Sequence, residues 1–102
     1  MASKVVFRRR AESRLIELYD YIASQAGPAI AIDYIRRIRA ACQALSTFPE
    51  RGHRRDDILP GLRVMGFERR VSIVFRVLRT RVEIITIAYG GRDFEGELRR
   101  RK

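Results

Sequence analysis

The side chains most able to do chemistry in this 102-residue chain are its arginines. Twenty of the 22 basic residues are arginine, and only Lys4 and Lys102 are lysine. A guanidinium is a planar fork that stays charged at any physiological pH and grips phosphate or carboxylate by two parallel hydrogen bonds. With 12 acidic residues the net charge is +10. The excess is uneven: residues 1–50 carry +3 and residues 51–102 carry +7. Such a chain attracts nucleic acid or an acidic protein segment. Other reactive side chains are scarce. One cysteine, Cys42, excludes an internal disulfide, and one cysteine with one histidine, His53, gives no structural zinc set. Cys42 falls on an apolar helical stripe and reads as a small buried hydrophobe. His53 lies in a segment of loop composition and reads as solvated. Tyr89 closes the most apolar strand-like segment. Its phenol, with a reference pKa of about 10, is a better acid than base.

The elements that must position these groups follow from period and punctuation. The length fits one domain spanning residues 1–102. A hydrophobic fraction of 46% argues for a packed core in spite of 33% charged residues. No apolar run approaches the ~20 residues that span a bilayer. The first residues lack an apolar stretch followed by a cleavage site, so a cytoplasmic protein is expected. Lys4–Phe7 is β-prone. Leu15, Leu18, Tyr19 and Ile22, with Ile16 widening the stripe, predict a helix over about 11–25. Gly27-Pro28 breaks it and opens a second helix over about 28–47, with Ala31, Tyr34, Ile35, Ile38, Cys42 and Leu45 inward and Arg36, Arg37 and Arg39 outward. Pro49 ends it, and residues 50–61 read as a loop.

Three strands are expected at Leu62–Gly66, Val71–Leu78 and Val82–Tyr89. The last has Val82, Ile84, Thr86 and Ala88 on one face and Glu83, Ile85, Ile87 and Tyr89 on the other, so it is an internal strand. Residues 92–102 form a basic tail whose Phe94 and Leu98 have helical spacing. The order β-α-α-β-β-β predicts an α+β fold, an antiparallel sheet with the N-terminal helical hairpin packed on one face. The other face is expected partly open, with Ser72, Arg76 or Tyr89 emerging there.

These segments, in this order, resemble the RelE/ParE superfamily of type II toxin–antitoxin modules, and the ParE branch most closely. The matching pieces are Phe7-Arg8-Arg9-Arg10-Ala11, Tyr34-Ile35-Arg36-Arg37-Ile38, Leu45-Ser46-Thr47-Phe48-Pro49-Glu50-Arg51-Gly52, Pro60-Gly61-Leu62-Arg63, Ile73-Val74-Phe75-Arg76-Val77, and Val82-Glu83-Ile84-Ile85 leading to Tyr89-Gly90-Gly91-Arg92-Asp93. Members of the ParE type inhibit DNA gyrase. RelE-type members cleave messenger RNA on the ribosome. Either kinship implies a small antitoxin whose acidic tail wraps the toxin and whose other part binds operator DNA, so that the toxin meets the operator only through its partner.

RNA cleavage by the 2′-hydroxyl needs a base, an acid and cations around the phosphorane-like charge. By resemblance, Arg63 stands near one basic residue of the RelE set and Arg92 matches another. Ser72 occupies a key arginine position, Met65 a lysine position, and Leu98 falls near the C-terminal tyrosine. Tyr89-Gly90 stands where many superfamily sequences have His-Gly. The broken set implies a gyrase inhibitor without catalytic residues. The alternative is an endoribonuclease using Arg63, Tyr89 and Arg92. A third reading, a plain basic nucleic-acid-binding module, lacks the exposed aromatic pairs of a stacking platform. Arg63, Arg76, Tyr89, Arg92, Arg99 and Arg100 are the expected contacts to target or antitoxin. No cofactor, metal or membrane is implied.

Overall fold

A computed structural model describes residues 4–90 and 94–100, with Glu97 and Arg100 described by their backbone alone. The elements run β1 (Lys4–Phe7), α1 (Arg9–Ala26), α2 (Pro28–Gln43), a 3-10 turn (Ala44–Ser46), β2 (His53–Arg54), β3 (Leu62–Phe67), β4 (Val71–Val77), β5 (Arg81–Tyr89) and α3 (Phe94–Arg100). Gly27 is the hinge of the helical hairpin. It caps the end of α1, its N–H donating to the Ala23 carbonyl, and it precedes α2 with Pro28 in the first turn. Its φ of 97° is open to glycine at little cost and strained for other residues.

The five strands form one sheet in the order β1-β5-β4-β3-β2. The run β2–β3–β4–β5 is antiparallel, as the short connections require. β1 joins the edge parallel to β5, pairing Val5 with Val82 and Phe7 with Ile84. The sheet is therefore mixed. A parallel neighbour needs a long crossover, and the whole of the chain between β1 and β5, hairpin included, supplies it.

The expected loop over 50–61 holds a further short strand, β2, paired through His53–Val64 and Arg54–Arg63. Gly52 permits this approach. A Cβ there would lie 2.3 Å from the Val64 carbonyl oxygen, and the residue has φ +75°.

The hairpin covers one sheet face. Leu15, Leu18, Ile38, Cys42 and Leu45 meet Val71, Ile73, Phe75, Val82, Ile84 and Ile87 in one buried cluster. Ile16 falls outside it and is 62% exposed, because it points about 100° around the helix from the inward Leu15.

The second face is more covered than the sequence suggests. Leu62, Val74 and Ile85 pack with Leu98 and Phe94 of α3 and with Ile58 and Leu59 of the preceding loop. Phe94 and Leu98, the two helical-phase apolar residues of the basic tail, are the ones that α3 lays on this patch.

β5 carries the other departure. Val74 pairs with Thr86 and Phe75 with Ile84, so Ile85 is an extra residue in the strand. This bulge reverses the alternation beyond it. Ile87 and Tyr89 join Val82 and Ile84 on the hairpin side, whereas Ile85 packs on the α3 side.

Candidate functional site

The six residues singled out from the sequence do not converge. Tyr89 ends β5 opposite Val71 and packs on the hairpin side, its ring 5.8 Å from that of Tyr21. Arg63 lies opposite Phe75 and shares strand parity with Met65 and Phe67, also on the hairpin side. Its Nη1 donates to the Arg51 carbonyl at 3.3 Å. Four residues of β4 separate these two positions, roughly 13 Å along the strand. Arg76 lies opposite Leu62, so it belongs to the α3 side, and its Nε donates to the Pro60 carbonyl at 3.1 Å. Arg99 reaches from α3 to Asp57 at 3.2 Å. Arg100 is placed by its backbone at the end of α3. Arg92, Arg101 and Lys102 lie outside the described residues. Of the positions compared with RNA-cleaving relatives, Met65 packs against the core, Ser72 is half-buried and Leu98 is buried. His53 is exposed on β2, and Cys42 is wholly buried, with burial pushing its thiol up to about 12.

What the fold does assemble is arginine in three groups that sequence reasoning missed, the first two on the α3 side of the sheet. The first surrounds Glu83, a carboxylate only 7% exposed in an otherwise apolar strand. Arg81 Nε donates to its Oε2 at 2.9 Å and Arg8 Nη1 to its Oε1 at 3.1 Å. Arg81, and to a lesser degree Arg8, hold this carboxyl below the ordinary range against the opposing effect of burial. The second group anchors α3. Arg55 spans Asp57 and Glu95, both at 2.9 Å, and Asp57 also accepts from Arg99. Hydrogen bonding to Arg55 lowers both carboxyls. Next to it Arg54 grips Asp56 through two nitrogens, and the Gly61 N–H donates to the same carboxylate at 2.8 Å. The third group is the run Arg8-Arg9-Arg10 with Arg14, at the start of α1. A lone Glu in the pattern of β5 and three consecutive arginines were the available signals. Neither indicates a partner without the fold.

The hairpin side is different in character. Ile16, Tyr21, Ile30 and Ile32 are exposed on its two helices. A cavity of about 210 Å³ opens between α1 and the end of β5, lined by Arg14, Glu17, Leu18, Tyr21, Ile87 and Tyr89. On its wall Arg14 Nη1 donates to the Glu17 carboxylate at 3.1 Å. Among the described residues no group of three histidine, cysteine, aspartate or glutamate side chains could hold a metal ion, and no helix is long and apolar enough to cross a membrane.

A helical hairpin over one face of a mixed sheet, with a short C-terminal helix on the other, defines the class as an α+β toxin fold of the ParE kind. The solved structure "Chromosomal ParDE TA system from P. aeruginosa" is similar, with a TM-score of 0.76 at 26% identity over 87% of this chain and 97% of that one. Residues 5–94 match the family described as the ParE toxin of the type II toxin–antitoxin system parDE. The chain belongs to the ParE toxin family. Comparison with curated proteins finds no match.

Proposed function

We propose that this ParE-family chain inhibits DNA gyrase and is silenced by a cognate ParD-like antitoxin with an acidic, amphipathic tail. The observation that carries the reading is the family match running from β1 to the first residue of α3, with the ParDE structure in support. The surface fits the second half of it. Exposed Ile16, Tyr21, Ile30 and Ile32 and the Tyr21–Tyr89 notch suit the apolar residues of such a tail, and neighbouring arginines suit its acids. Arg63, Arg76 and Tyr89 remain the sequence-derived contacts to the target or antitoxin. They lie on two sheet faces, so one partner segment meets all three only by wrapping an edge.

Purified folded chain added to a gyrase supercoiling assay is expected to inhibit supercoiling or trap cleaved DNA, and an equimolar antitoxin is expected to reverse this. A folded chain that leaves gyrase untouched removes the target. Message cleavage in a translating extract, abolished by Arg63→Ala, would replace it with the endoribonuclease reading. The separation of Arg63 from Tyr89 gives that reading no support.

A further inference from the structure

The sheet ends on two edges, β1 and β2, that differ in kind. We propose that the open edge of β1 is a docking site for an extended acidic–apolar segment of a partner protein, which joins the sheet as a further strand beside Lys4, Val6 and Arg8. The site is apart from the hairpin surface given to the antitoxin above and does not depend on gyrase as target.

β2 is two residues long, the short kind of edge that resists pairing. β1 is four residues long, and its Val5, Val6 and Phe7 are strand formers with no proline or bulge among them. Arg8 prolongs the strand, with φ and ψ of −71° and 160°. In a parallel pair, alternate residues turn both backbone groups to the same neighbour. The Arg8 N–H donates to the Ile84 carbonyl at 2.9 Å, so Lys4, Val6 and Arg8 face β5. Val5 and Phe7 turn their N–H and carbonyl groups outward. Among the described residues no backbone hydrogen bond reaches those groups. An added strand pairs with them by β-augmentation. Burial agrees. β1 is exposed or half-buried along its length, whereas β5, with a neighbour on each side, is buried from Val82 to Ala88.

The side chains set the chemistry of the occupant. Val5 and Phe7 lie on the hairpin face, against the core, and Lys4, Val6 and Arg8 lie on the other. A strand alongside meets apolar neighbours at its central positions and a cation at each end. The complementary pattern is acidic–apolar–apolar–apolar–acidic, read in either direction. Lys4 is exposed and makes no ion pair among the described residues, so it is the stronger draw. Arg8 already meets Glu83 at 3.1 Å, but Glu83 keeps Arg81 when Arg8 is shared. A second copy of the chain fits worse. Antiparallel pairing of two β1 edges in full register sets each Lys4 beside the other copy's Arg8, and like charges opposite one another destabilise. A nucleic-acid strand has neither peptide groups for the edge nor apolar side chains for Val5 and Phe7.

The test titrates the isotopically labelled full chain, followed by NMR, with a peptide holding Glu-Val-Ile-Val-Glu between Gly-Ser flanks. A twin peptide is N-methylated throughout the central run, which keeps the side chains and removes the backbone donors. The amides of Val5 and Phe7 are expected to shift and to exchange more slowly as the first peptide binds, and the twin is expected not to bind. Lys4→Glu should weaken the first peptide about fivefold or more, and a peptide with one glutamate replaced by lysine should restore binding. Arg36→Glu, the same charge change on an exposed position of α2, should stay within about twofold. Equal weakening in both variants, a twin that binds as well as its parent, shifts confined to the helical hairpin, or no binding would each overturn the proposal. So would a free chain that sediments as a dimer with Val5 and Phe7 already protected, which gives the edge to a second copy. A single-stranded oligonucleotide that displaces the peptide and protects the same amides would overturn it in favour of nucleic acid. Should Lys4→Glu fail to fold, the peptide and its methylated twin on the unmodified chain decide.

Discussion

The carboxylate of Glu83 sits where the strand pattern asks for an apolar residue, and its ionised form is tolerated only because two guanidinium groups face it. Glu83→Gln removes the charge and leaves Arg8 and Arg81 without their shared acceptor. Both arginine side chains are nearly half exposed, so water compensates in part. A destabilisation of about 1–2 kcal/mol is expected, below the range for breaking a fully buried pair, and urea unfolding measures it. An unchanged midpoint would show that the pair contributes nothing net. Cys42 makes the opposite case. With its thiol pushed up to about 12 by burial, the folded chain should resist alkylation at neutral pH and react fully in denaturant. Equal rates in the two states would contradict the burial. The burial of Cys42 was legible in the sequence because helical period alone places it beside Ile38 and Leu45. The surroundings of Arg63, Arg76 and Tyr89 were not, because both faces of β5 are apolar and period two cannot show which side is which.

Among the elements, β5 and α3 show why that ambiguity mattered. One inserted residue at Ile85 turns Ile87 and Tyr89 toward the hairpin, and nothing in the run Ile84-Ile85-Thr86-Ile87, apolar on both faces, marks the insertion. Apart from β2, which was read as loop, the strands and helices themselves were legible to within a few residues, since glycine and proline punctuate them. The docking of α3 was only half legible, as a spacing of Phe94 and Leu98 whose counterpart, the patch of Leu62, Val74 and Ile85, forms only after the sheet does. Its rim is ionic. Asp57 and Glu95 titrate lower in the folded chain than in the unfolded one, chiefly through hydrogen bonds from Arg55. Their contribution is therefore complete above the unfolded value, about 4, and is lost as pH falls through the folded values. Protection of the α3 amides from hydrogen exchange should drop below about pH 4 before that of β4 and β5. Simultaneous loss would mean that the helix is held by Leu98 and Phe94 alone. The β3–β4 turn offers a separate test. Glu68 and Arg69 both have positive φ, 48° and 66°. Glu68 is retained by its ion pair with Arg37, but Arg69 bears a left-handed strain with no such compensation in the turn. Arg69→Gly should stabilise the fold by up to about 1 kcal/mol, read from the thermal midpoint. A lower midpoint would show that the Arg69 side chain matters more than its backbone.

At the scale of the whole molecule, the charge excess and the ion pairs respond to salt in opposite ways, and their ranges decide which governs. The described chain has a Cα radius of gyration of 13.4 Å. In ~0.01 M salt the screening length is about 30 Å, so every charge of a +10 molecule feels the rest; in ~0.15 M it is about 8 Å and distant repulsion is removed. The ion pairs span roughly 3 Å, as at Arg55–Asp57 and Arg8–Glu83, and keep most of their strength over that interval. Net repulsion is the larger loss, so added salt should raise the melting temperature of the isolated chain. The acidic antitoxin tail proposed above would relieve the same repulsion by neutralising it, and that attraction would itself be screened. In the complex, added salt should therefore weaken association while the rise in melting temperature shrinks or reverses. Salt series on the free chain and on the complex, followed by thermal melts and by titration of the antitoxin, measure both slopes. Parallel slopes would mean that the partner is held by its apolar residues on the hairpin, and that the arginine excess serves something other than its capture.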